Sequence, residues 1–430
     1  MILLYTHLIT PRVNYSFELV FKTVLKIDYE VTTDIDYYNA YVGHKLAYTS
    51  HIETFKLHLK SHSLLFENDI KTFTPSAVKE VNDLPIFFES SQTSITPFDI
   101  FATVFYFATR YEEYQPSELD KHQRFQAEHS LFYKHNILQI PYLNILIHEF
   151  AKKLTEYYPT IIPPKSAYTY LSTIDIDNAY AFAHKGFKRN AGGALLDILS
   201  GNIQQLTQRV KSNWNDTKDP YNTFDIIDTI HQTNHKALQY FVLIGDYAKY
   251  DKNPSHTNKG FQVLLKKLSK NYAVGLHPSY VTYDAPEKIY TEKKRLEYII
   301  EKPVTQARCH FLRVNLPNTY RTFMEIGITD DYSMIYASAS GFRTGLCTPH
   351  LWFDLQKNET THLTIHPSTV MEGTLRDYNN LSPYEAELII QKLQTTIKHY
   401  GGECVTVWHN DSFVKEQQHW IEVYKNMMKA

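Results

Sequence analysis

Few of the features that mark secreted or disulfide-stabilised proteins are present in this sequence. The three cysteines, Cys309, Cys347 and Cys404, are odd in number and widely spaced within 430 residues. This pattern excludes a disulfide framework and a zinc-ribbon spacing, and it is typical of a reducing compartment. A formal net charge of −2 argues against general attraction to nucleic acid or anionic membranes, although it allows a local charged patch.

Long apolar runs are also lacking. No stretch approaches the roughly 20 apolar residues that a membrane-spanning helix needs. The opening sequence Met1-Ile-Leu-Leu-Tyr-Thr-His7 has neither a basic leader nor a small-residue cleavage site. We therefore expect a cytoplasmic protein with no membrane span and no nucleic-acid partner.

Aromatic residues, by contrast, are abundant, with 33 Tyr and 24 Phe. Tyrosine-rich surfaces suit sugar binding, because the ring face stacks on a pyranose while the hydroxyl bonds to its edge. The codon usage of an A/T-rich genome explains the same composition. Composition alone leaves both explanations open.

Two domains are expected, because 430 residues exceed what one ordinary core holds. The best boundary is the segment 157–166, in which prolines 159, 163 and 164 follow an amphipathic stretch over 143–157. Short apolar runs alternate with helical patterns before this boundary: runs at 2–5, 46–49 and 86–88, and helices at 15–26 and 98–114. This alternation predicts a small α/β domain over 1–160 and a second domain over 168–430.

Predicted strands and helices alternate more regularly in the second domain. Candidate strands lie at 170–176, 240–244, 273–276, 309–313, 350–355, 362–365 and 404–408. Helical patterns lie at 223–235, 258–269, 290–300, 319–326 and 383–399. Strands that alternate with helices predict a mostly parallel sheet, either open or closed into a barrel. Catalytic groups in such sheets gather past the carboxyl ends of the strands.

Polar side chains follow several of these predicted strands. They are Asp175, Asp177, His277, Arg308, His310, His366 and His409. Carboxylates, imidazoles and an arginine on one rim suit metal-assisted hydrolysis, in which a bound divalent ion polarises the scissile carbonyl and acidifies a water. A second carboxylate then takes the proton of the water, and a separate histidine protonates the leaving amine.

Structural roles explain each of these residues equally well when it is taken alone. An aspartate at a strand end often caps a helix or forms a turn, and a single histidine can be a satisfied core residue. The pair Asp175 and Asp177 is different, because strand alternation puts both carboxylates on one face where like charges repel. Such a pair favours a cation or a function.

Taken in order, these segments resemble the polysaccharide deacetylase family (NodB-like, carbohydrate esterase family 4). The matching segments are Thr173-Ile-Asp-Ile-Asp177, Leu276-His-Pro-Ser279, Arg308-Cys-His-Phe311 and Val407-Trp-His-Asn410. The sequence is also similar to a Bacteroidetes group of deacetylase-like proteins with an extra N-terminal domain. That likeness lies in Leu84-Pro-Ile-Phe-Phe88, Phe98-Asp-Ile-Phe101, Arg110-Tyr-Glu-Glu-Tyr114, Asp120-Lys-His-Gln-Arg-Phe125, Gly341-Phe-Arg-Thr-Gly345 and Trp352-Phe-Asp-Leu355.

The resemblance implies an α/β fold, a distorted (β/α) barrel of NodB type preceded by a smaller α/β domain. It also implies a divalent metal, zinc with cobalt or nickel as alternatives, and removal of an N- or O-acetyl group from a carbohydrate. By the same resemblance Asp175 is the base, His409 the acid and Arg308 the arginine beside the base. The metal ligands would be Asp177 and His277.

The sequence departs from the family pattern at three points. Ile176 separates the two aspartates, so their roles could be exchanged. Val281 stands where the second metal histidine of the family is expected, and His310 is the candidate replacement; otherwise the site has two ligands and little metal affinity. His366 competes with His409 for the role of the acid.

Substrate contacts are expected from Ser279, Tyr280 and Arg343, which lie in or next to the matching segments. The N-terminal domain has no motif that predicts chemistry. Its segment Arg110-Tyr-Glu-Glu-Tyr114 is either part of a glycan-binding surface or an i,i+3 Arg–Glu pair that closes a helix.

Three functions remain open at this point. The first is a metal-dependent deacetylase that acts on a sugar or a surface-polysaccharide precursor. The second is a non-catalytic carbohydrate-binding protein on the same fold. The third is a glycosidase that pairs Asp175 or Asp177 with Glu372 across the cleft, without a metal.

Overall fold

Two parallel sheets organise the chain in the computed structural model, which describes residues 1–51, 55–81 and 83–429. The first sheet contains β1 (Ile2–Thr6), β2 (Tyr29–Thr32), β3 (Lys45–Thr49) and β4 (His58–Lys60). Its strand order is β2-β1-β3-β4, and all neighbours run parallel. A short antiparallel ribbon of β5 (Lys79–Val81) and β6 (Leu84–Ile86) follows.

Five helices accompany this sheet: α1 (Pro11–Phe17), α2 (Ile35–Ala40), α3 (Ile100–Ala108), α4 (Leu131–Lys134) and α5 (Tyr142–Tyr157). α1 runs on into a π-helical segment, Glu18–Val24. All nine residues of α3 are buried, which its unbroken apolar sequence requires. Asp99 begins α3, because its carboxylate accepts hydrogen bonds from the N–H groups of Phe101 and Ala102.

The second sheet has nine strands. They are β7 (Tyr168–Ile176), β8 (Ala237–Val242), β9 (Ala273–Leu276), β10 (Gln306–Ala307), β11 (Asp330–Asp331), β12 (His350–Asp354), β13 (Glu359–Ile365), β14 (Ser368–Met371) and β15 (Gly402–His409). Their order is β12-β13-β11-β10-β9-β8-β7-β15-β14, and only β12 runs antiparallel to its neighbour.

This order is that of a barrel which remains open at one seam. The strands step in one direction from β7 to β13, while the last strand, β15, pairs with the other side of β7. The sheet therefore curls on itself, with β12 and β14 as its two edges. The predicted fold class, a distorted (β/α) barrel preceded by a smaller α/β region, is confirmed.

Eight helices belong to this half: α6 (Phe187–Leu199), α7 (Ile203–Trp214), α8 (Phe224–Asn234), α9 (Lys259–Asn271), α10 (Glu287–Ile300), α11 (Asn318–Glu325), α12 (Pro383–Tyr400) and α13 (Gln418–Lys429). A second π-helical segment covers Thr374–Tyr378. α12 has a full capping box, in which Ser382 and Glu385 bond each other's backbone N–H groups. Among the described residues, no helix is both long and apolar enough to cross a bilayer.

The predicted strand at 309–313 was wrong. Pairing in β10 ends at Ala307, and a 3-10 turn follows over His310–Leu312. Two short strands, β11 and β14, and the helices α6 and α7 were not predicted.

The two halves share part of their core. The N-terminal apolar cluster includes Tyr336, Leu346, Phe353 and Leu355 from the C-terminal half. Residues 158–167 connect α5 to β7. The position of the domain boundary stays a prediction.

Candidate active site

A cavity of about 240 Å³ opens at the carboxyl ends of the barrel strands. Its walls include Asp175 near the end of β7, Asp177 just after β7, His277 after β9, His310 after β10 and His409 at the end of β15. Parallel strands bring these residues together because their carboxyl ends share one edge of the sheet. The expected convergence of polar side chains on one rim is therefore present.

Asp177, His277 and His310 form the centre of this cavity. Nε2 of His277 lies 3.1 Å from Oδ1 of Asp177, and Nε2 of His310 lies 3.2 Å from its Oδ2. One donor atom from each residue lies within 4.8 Å of the other two. Both histidines are buried and Asp177 is half-buried. Two imidazoles and a carboxylate are a ligand set typical of zinc and related divalent metals.

Hydrogen bonds to groups outside the cavity set the orientation of both imidazole rings. Nδ1 of His277 lies 2.6 Å from the carbonyl oxygen of Arg308, and Nδ1 of His310 lies 2.9 Å from Oδ1 of Asp251. Each Nδ1 therefore donates its proton outward, and each Nε2 faces the carboxylate of Asp177, where it can ligate a metal once its own proton is displaced. Such a backing hydrogen bond is a usual feature of metal-ligating histidines.

The charges of this cluster also fit a cation. Burial by itself would raise the pKa of Asp177, but the imidazoles of His310 and His277 hold it well below the usual value. Burial likewise opposes protonation of His310, while Asp177 and Asp251 raise its pKa to about 9. Oδ1 of Asp177 is shielded from solvent and accepts no hydrogen bond of good geometry from the described residues. A buried carboxylate oxygen that lacks a hydrogen-bond donor can serve as a metal ligand.

Asp175 is held by Arg308. Nη1 of Arg308 donates to Oδ1 of Asp175 at 2.8 Å and to the hydroxyl of Thr173 at 2.6 Å. The remaining guanidinium donors bond the carbonyl of Tyr332 and the hydroxyl of Ser368. Arg308 is fully buried, so this hydrogen-bonded ion pair fixes the orientation of the Asp175 carboxylate. The other oxygen of Asp175 lies 3.9 Å from Nε2 of His277, on the side of the cavity.

His409 faces the same cavity and is backed by Glu372. Nδ1 and the backbone N–H of His409 both lie 2.8 Å from Oε1 of Glu372, which also accepts from the hydroxyl of Ser412. Nε2 of His409 lies 3.9 Å from Oδ2 of Asp177. Burial lowers the pKa of His409, but Glu372 more than offsets this and holds it well above the usual value. The Nε2 atom of His409 thus points at the centre, and its raised pKa favours the protonated form that can donate.

His366, the competing candidate for the acid, lies elsewhere. Its Nδ1 lies 2.7 Å from Glu403 and its Nε2 lies 3.0 Å from Asp330, so both ring nitrogens are engaged. Its ring stacks on Tyr332 at 4.4 Å. It is not among the described residues that line the cavity.

The three expected substrate contacts are also not among the described residues that line this cavity, although Arg343 lines a larger cavity next to it. The hydroxyl of Ser279 donates to buried Glu292. Arg343 forms a bidentate ion pair with Glu113, with N–O distances of 2.7 and 2.8 Å. The hydroxyl of Tyr280 bonds Nδ1 of His122, and its ring packs at a tilt of 36° against that of Tyr250. Their roles as substrate contacts stay predictions.

Other residues at the site were missed by sequence reasoning. Asp251 lies in the long connection between β8 and α9, and no strand end or motif points to it. Glu372 was considered only as a glycosidase acid, whereas it bonds His409. Arg124 and Tyr378 line the cavity from a loop and from the second π-helical segment. The motif Asp120-Lys-His-Gln-Arg-Phe125 contains Arg124 and was the one available signal.

Comparisons with known proteins give partial matches. A profile described as a family of unknown function, DUF7033, matches residues 2–159. A structure named "putative polysaccharide deacetylase" from Mycobacterium smegmatis is 12% identical, with a TM-score of 0.42 over 62% of this chain and 85% of that chain. The polysaccharide deacetylase Bc1974 from Bacillus cereus is also 12% identical, with a TM-score of 0.30 over 61% of this chain and 87% of that chain. No curated protein matches the sequence.

Proposed function

We propose that this protein is a metal-dependent hydrolase that removes an acetyl group, in the first instance an N-acetyl group, from a carbohydrate. The observation that carries this proposal is the set of three side chains Asp177, His277 and His310, whose donor atoms converge in one cavity. A carboxylate–arginine pair and a histidine–glutamate pair flank them. Amide hydrolysis needs a metal site, a base and an acid within reach of one substrate, and the cavity contains candidates for all three.

Asp177, His277 and His310 would hold the metal, with zinc as the first candidate and cobalt or nickel as alternatives. When bound, a divalent ion supplies Lewis acidity toward the acetyl carbonyl and toward water. The donor set fits this chemistry, since three protein ligands leave coordination positions open.

Asp175 is the proposed base. Its free oxygen faces the cavity while Arg308 holds the other, so the carboxylate is fixed in orientation. It accepts the proton of the water whose oxygen forms a bond to the acetyl carbon. Because Asp175 and Asp177 lie on the same side of the strand end, the base lies next to the proposed metal ligands.

His409 is the proposed acid. The carbon–nitrogen bond breaks as His409 donates its Nε2 proton to the leaving amine, which yields acetate and the free amino sugar. Glu372 bonds Nδ1 and so keeps the donor proton on the Nε2 side. Glu372 is fully buried and is not among the described residues lining the cavity, so a glycosidase that uses it across the cleft is disfavoured.

The shape of the cleft suggests a substrate larger than one sugar. A second cavity of about 570 Å³ adjoins the first, and five residues line both: Arg124, Leu312, Ala337, Asp377 and Tyr378. A sugar in the first cavity can therefore continue into the second, where a neighbouring sugar or an attached group would bind. Precursors of a surface polysaccharide fit this arrangement.

Acetate release tests the proposal. Purified protein is depleted of metal with a chelator, reloaded with zinc, cobalt or nickel, and incubated with N-acetylated oligosaccharides and nucleotide sugars. We expect acetate only from the reloaded protein and only with some of these substrates. Acetate release that is unchanged by the chelator would contradict metal dependence. Tight glycan binding without acetate release from any substrate would favour the non-catalytic binding protein.

A further inference from the structure

A helical hairpin, formed by α6 and α7, exposes large apolar side chains to solvent. The two helices pack against each other and are inserted between β7 and α8. The exposed apolar residues are Phe187 (87%), Leu195, Leu196, Ile198, Leu199 (75%), Ile203, Val210 and Trp214 (92%). An exposed apolar cluster of this extent marks an interaction site on a globular protein.

Most of these side chains lie on one face of their helix. In α6 they recur at spacings of four, four and three residues, as Phe187, Ala191, Leu195 and Ile198. In α7 they recur at spacings of three, four and four, as Ile203, Leu206, Val210 and Trp214. These spacings place each set in a stripe along its helix. We call the two sets the hairpin stripes.

The charges of the hairpin are almost all positive. α6 contains Lys188, Arg189 and Asp197, and α7 contains Arg209 and Lys211. The one acid, Asp197, is buried and accepts a 2.8 Å hydrogen bond from Arg209. Lys188 and Lys211 are exposed. The outer surface of the hairpin is therefore apolar and cationic.

Hydrogen bonds to adjacent residues fix the position of the hairpin on the protein. Arg189 donates to the backbone carbonyls of Lys252 and Asn253, which ties the start of α6 to the barrel. Asp216, which follows α7, bonds His184 at 2.9 Å. Asp219 accepts from three backbone N–H groups at 181–183. Asp219 is buried and Asp216 is paired with His184, and neither makes an ion pair with Lys188 or Lys211 among the described residues.

We propose that the hairpin binds the surface of an anionic lipid bilayer. The hairpin stripes would enter the boundary between headgroups and acyl chains, and Lys188 and Lys211 would contact lipid phosphates. Amphipathic helices with aromatic and aliphatic residues on one face and basic residues beside it bind bilayers in this way. A second copy of the chain is a poorer occupant, because pairing two identical cationic faces brings like charges together.

Membrane binding would hold the catalytic rim close to the bilayer. Lys185, just before α6, hydrogen-bonds Asn178, the residue after Asp177. The hairpin therefore begins beside the candidate metal centre, although the lipid-binding proposal does not depend on catalysis.

Trp214 provides a direct readout of this binding. The other three tryptophans, Trp352, Trp408 and Trp420, are buried, so solvent-dependent changes in emission report on Trp214. The full chain is titrated with vesicles of phosphatidylethanolamine and phosphatidylglycerol, and separately with phosphatidylcholine vesicles. We expect a blue shift of the emission and co-sedimentation with the anionic vesicles, both weakened by salt.

Paired variants separate the apolar and the charged contributions. Phe187→Ser with Leu195→Ser keeps Trp214 and removes apolar contacts of the α6 stripe, and Lys188→Glu with Lys211→Glu reverses two charges. Each pair should weaken binding to anionic vesicles by about tenfold or more. Tyr298→Ser and Lys392→Glu are matched controls, because both residues are exposed on other helices, and they should leave binding unchanged.

Three results would overturn the proposal. The first is the absence of a blue shift and of co-sedimentation at low salt. The second is equal binding to phosphatidylcholine vesicles with no effect of the lysine substitutions. The third is a blue shift without vesicles that grows with protein concentration alongside dimer formation, which would assign the hairpin to a second copy. Circular dichroism of each variant confirms that it is folded.

Discussion

At the scale of single residues, each imidazole around the cavity is oriented by an acceptor behind it. The carbonyl of Arg308 accepts from His277, Asp251 lies behind His310, and Glu372 lies behind His409. All three Nε2 atoms consequently face Asp177. His366 differs from them in position, because its two ring nitrogens contact Glu403 and Asp330 and it is not among the described residues that line the cavity.

Asp175→Asn tests the base. The substitution keeps the size of the side chain and its contact with Arg308, so the fold and most of the metal should be retained. Turnover should fall about a hundredfold or more, the usual effect of losing a general base. Acetate release and metal content are measured on the same preparation. If Asp175→Asn loses metal while Asp177→Asn keeps it, the two aspartates have exchanged their proposed roles.

His409→Ala tests the acid. Removal of the imidazole should abolish acetate release at neutral pH and leave metal content unchanged, because the proposed ligands are other residues. His366→Ala should be much milder, since that ring lies outside the cavity. Assays of both variants on one acetylated substrate give the ranking. The reverse ranking would move the acid to His366.

At the residue scale, the sequence predicted the site residues that lie at the end of a strand or directly after it. Asp175, Asp177, His277 and His409 were found because strand ends in a parallel sheet share one edge. Asp251 was not found, since a residue in a long connection acquires its position only from tertiary packing. The buried partners of Ser279 and Arg343, Glu292 and Glu113, were not predicted either, because a matching motif does not reveal what a side chain contacts.

At the scale of secondary structure, the turn over His310–Leu312 completes the site. Pairing stops at Ala307, and Phe311 and Leu312 have φ values of 58° and 56°, a left-handed conformation that reverses the chain. The apolar sequence around His310 predicted a strand because apolar composition does not distinguish a buried turn from a buried strand. The turn directs Nε2 of His310 at Asp177 and Nδ1 at Asp251.

The helices α8 to α12 were predicted to within three residues at their ends, because each buries an apolar face against the barrel. α6 and α7 were missed because Gly192 and Gly193 interrupt the helical pattern of α6 and Gly201 stands between the two helices. β11 consists of two aspartates, a sequence that no strand pattern favours. Its position is fixed by the strands on either side, β10 and β13.

Asp251→Asn tests the support of this turn. An amide cannot stabilise the His310 ring as a carboxylate does, so metal affinity should fall by about 10- to 100-fold while the fold is retained. Affinity is measured by competition with a chromogenic chelator. Asp246→Asn, at an exposed residue of the same connection, is the control and should keep the affinity of the unchanged protein. Equal affinities for the two variants would show that Asp251 does not support the ligand.

At the scale of the whole molecule, a buried ion network joins the two halves. Glu113 accepts from Arg343 at 2.7 and 2.8 Å and from Arg110 at 2.9 Å, and Arg110 also bonds Tyr336. Burial would raise the pKa of Glu113, but the two arginines lower it to about 2. The i,i+3 Arg110–Glu113 pair expected from the sequence is thus present, and it lies inside the molecule instead of on a glycan-binding surface.

Arg343→Ala should destabilise the protein strongly. It leaves Glu113 buried with one cation fewer, and breaking a buried pair in this way costs about 3–5 kcal/mol. The free energy of unfolding is measured with urea. Lys294→Ala, which removes an exposed partner of Glu297, is the control and should change stability by less than about 1 kcal/mol. If both substitutions changed the free energy of unfolding by the same small amount, the ion network would not couple the two halves.

Metal stoichiometry tests the central claim most directly. Zinc binding is measured by isothermal titration and elemental analysis on the unchanged protein, on His310→Gln and on His366→Gln. Both histidines lie between two carboxylates, so the two variants differ chiefly in their distance from the cavity. The proposal predicts one tightly bound zinc per chain, retained in His366→Gln and lost or weakened about a hundredfold in His310→Gln. No zinc in the unchanged protein, or equal binding by the two variants, would contradict it.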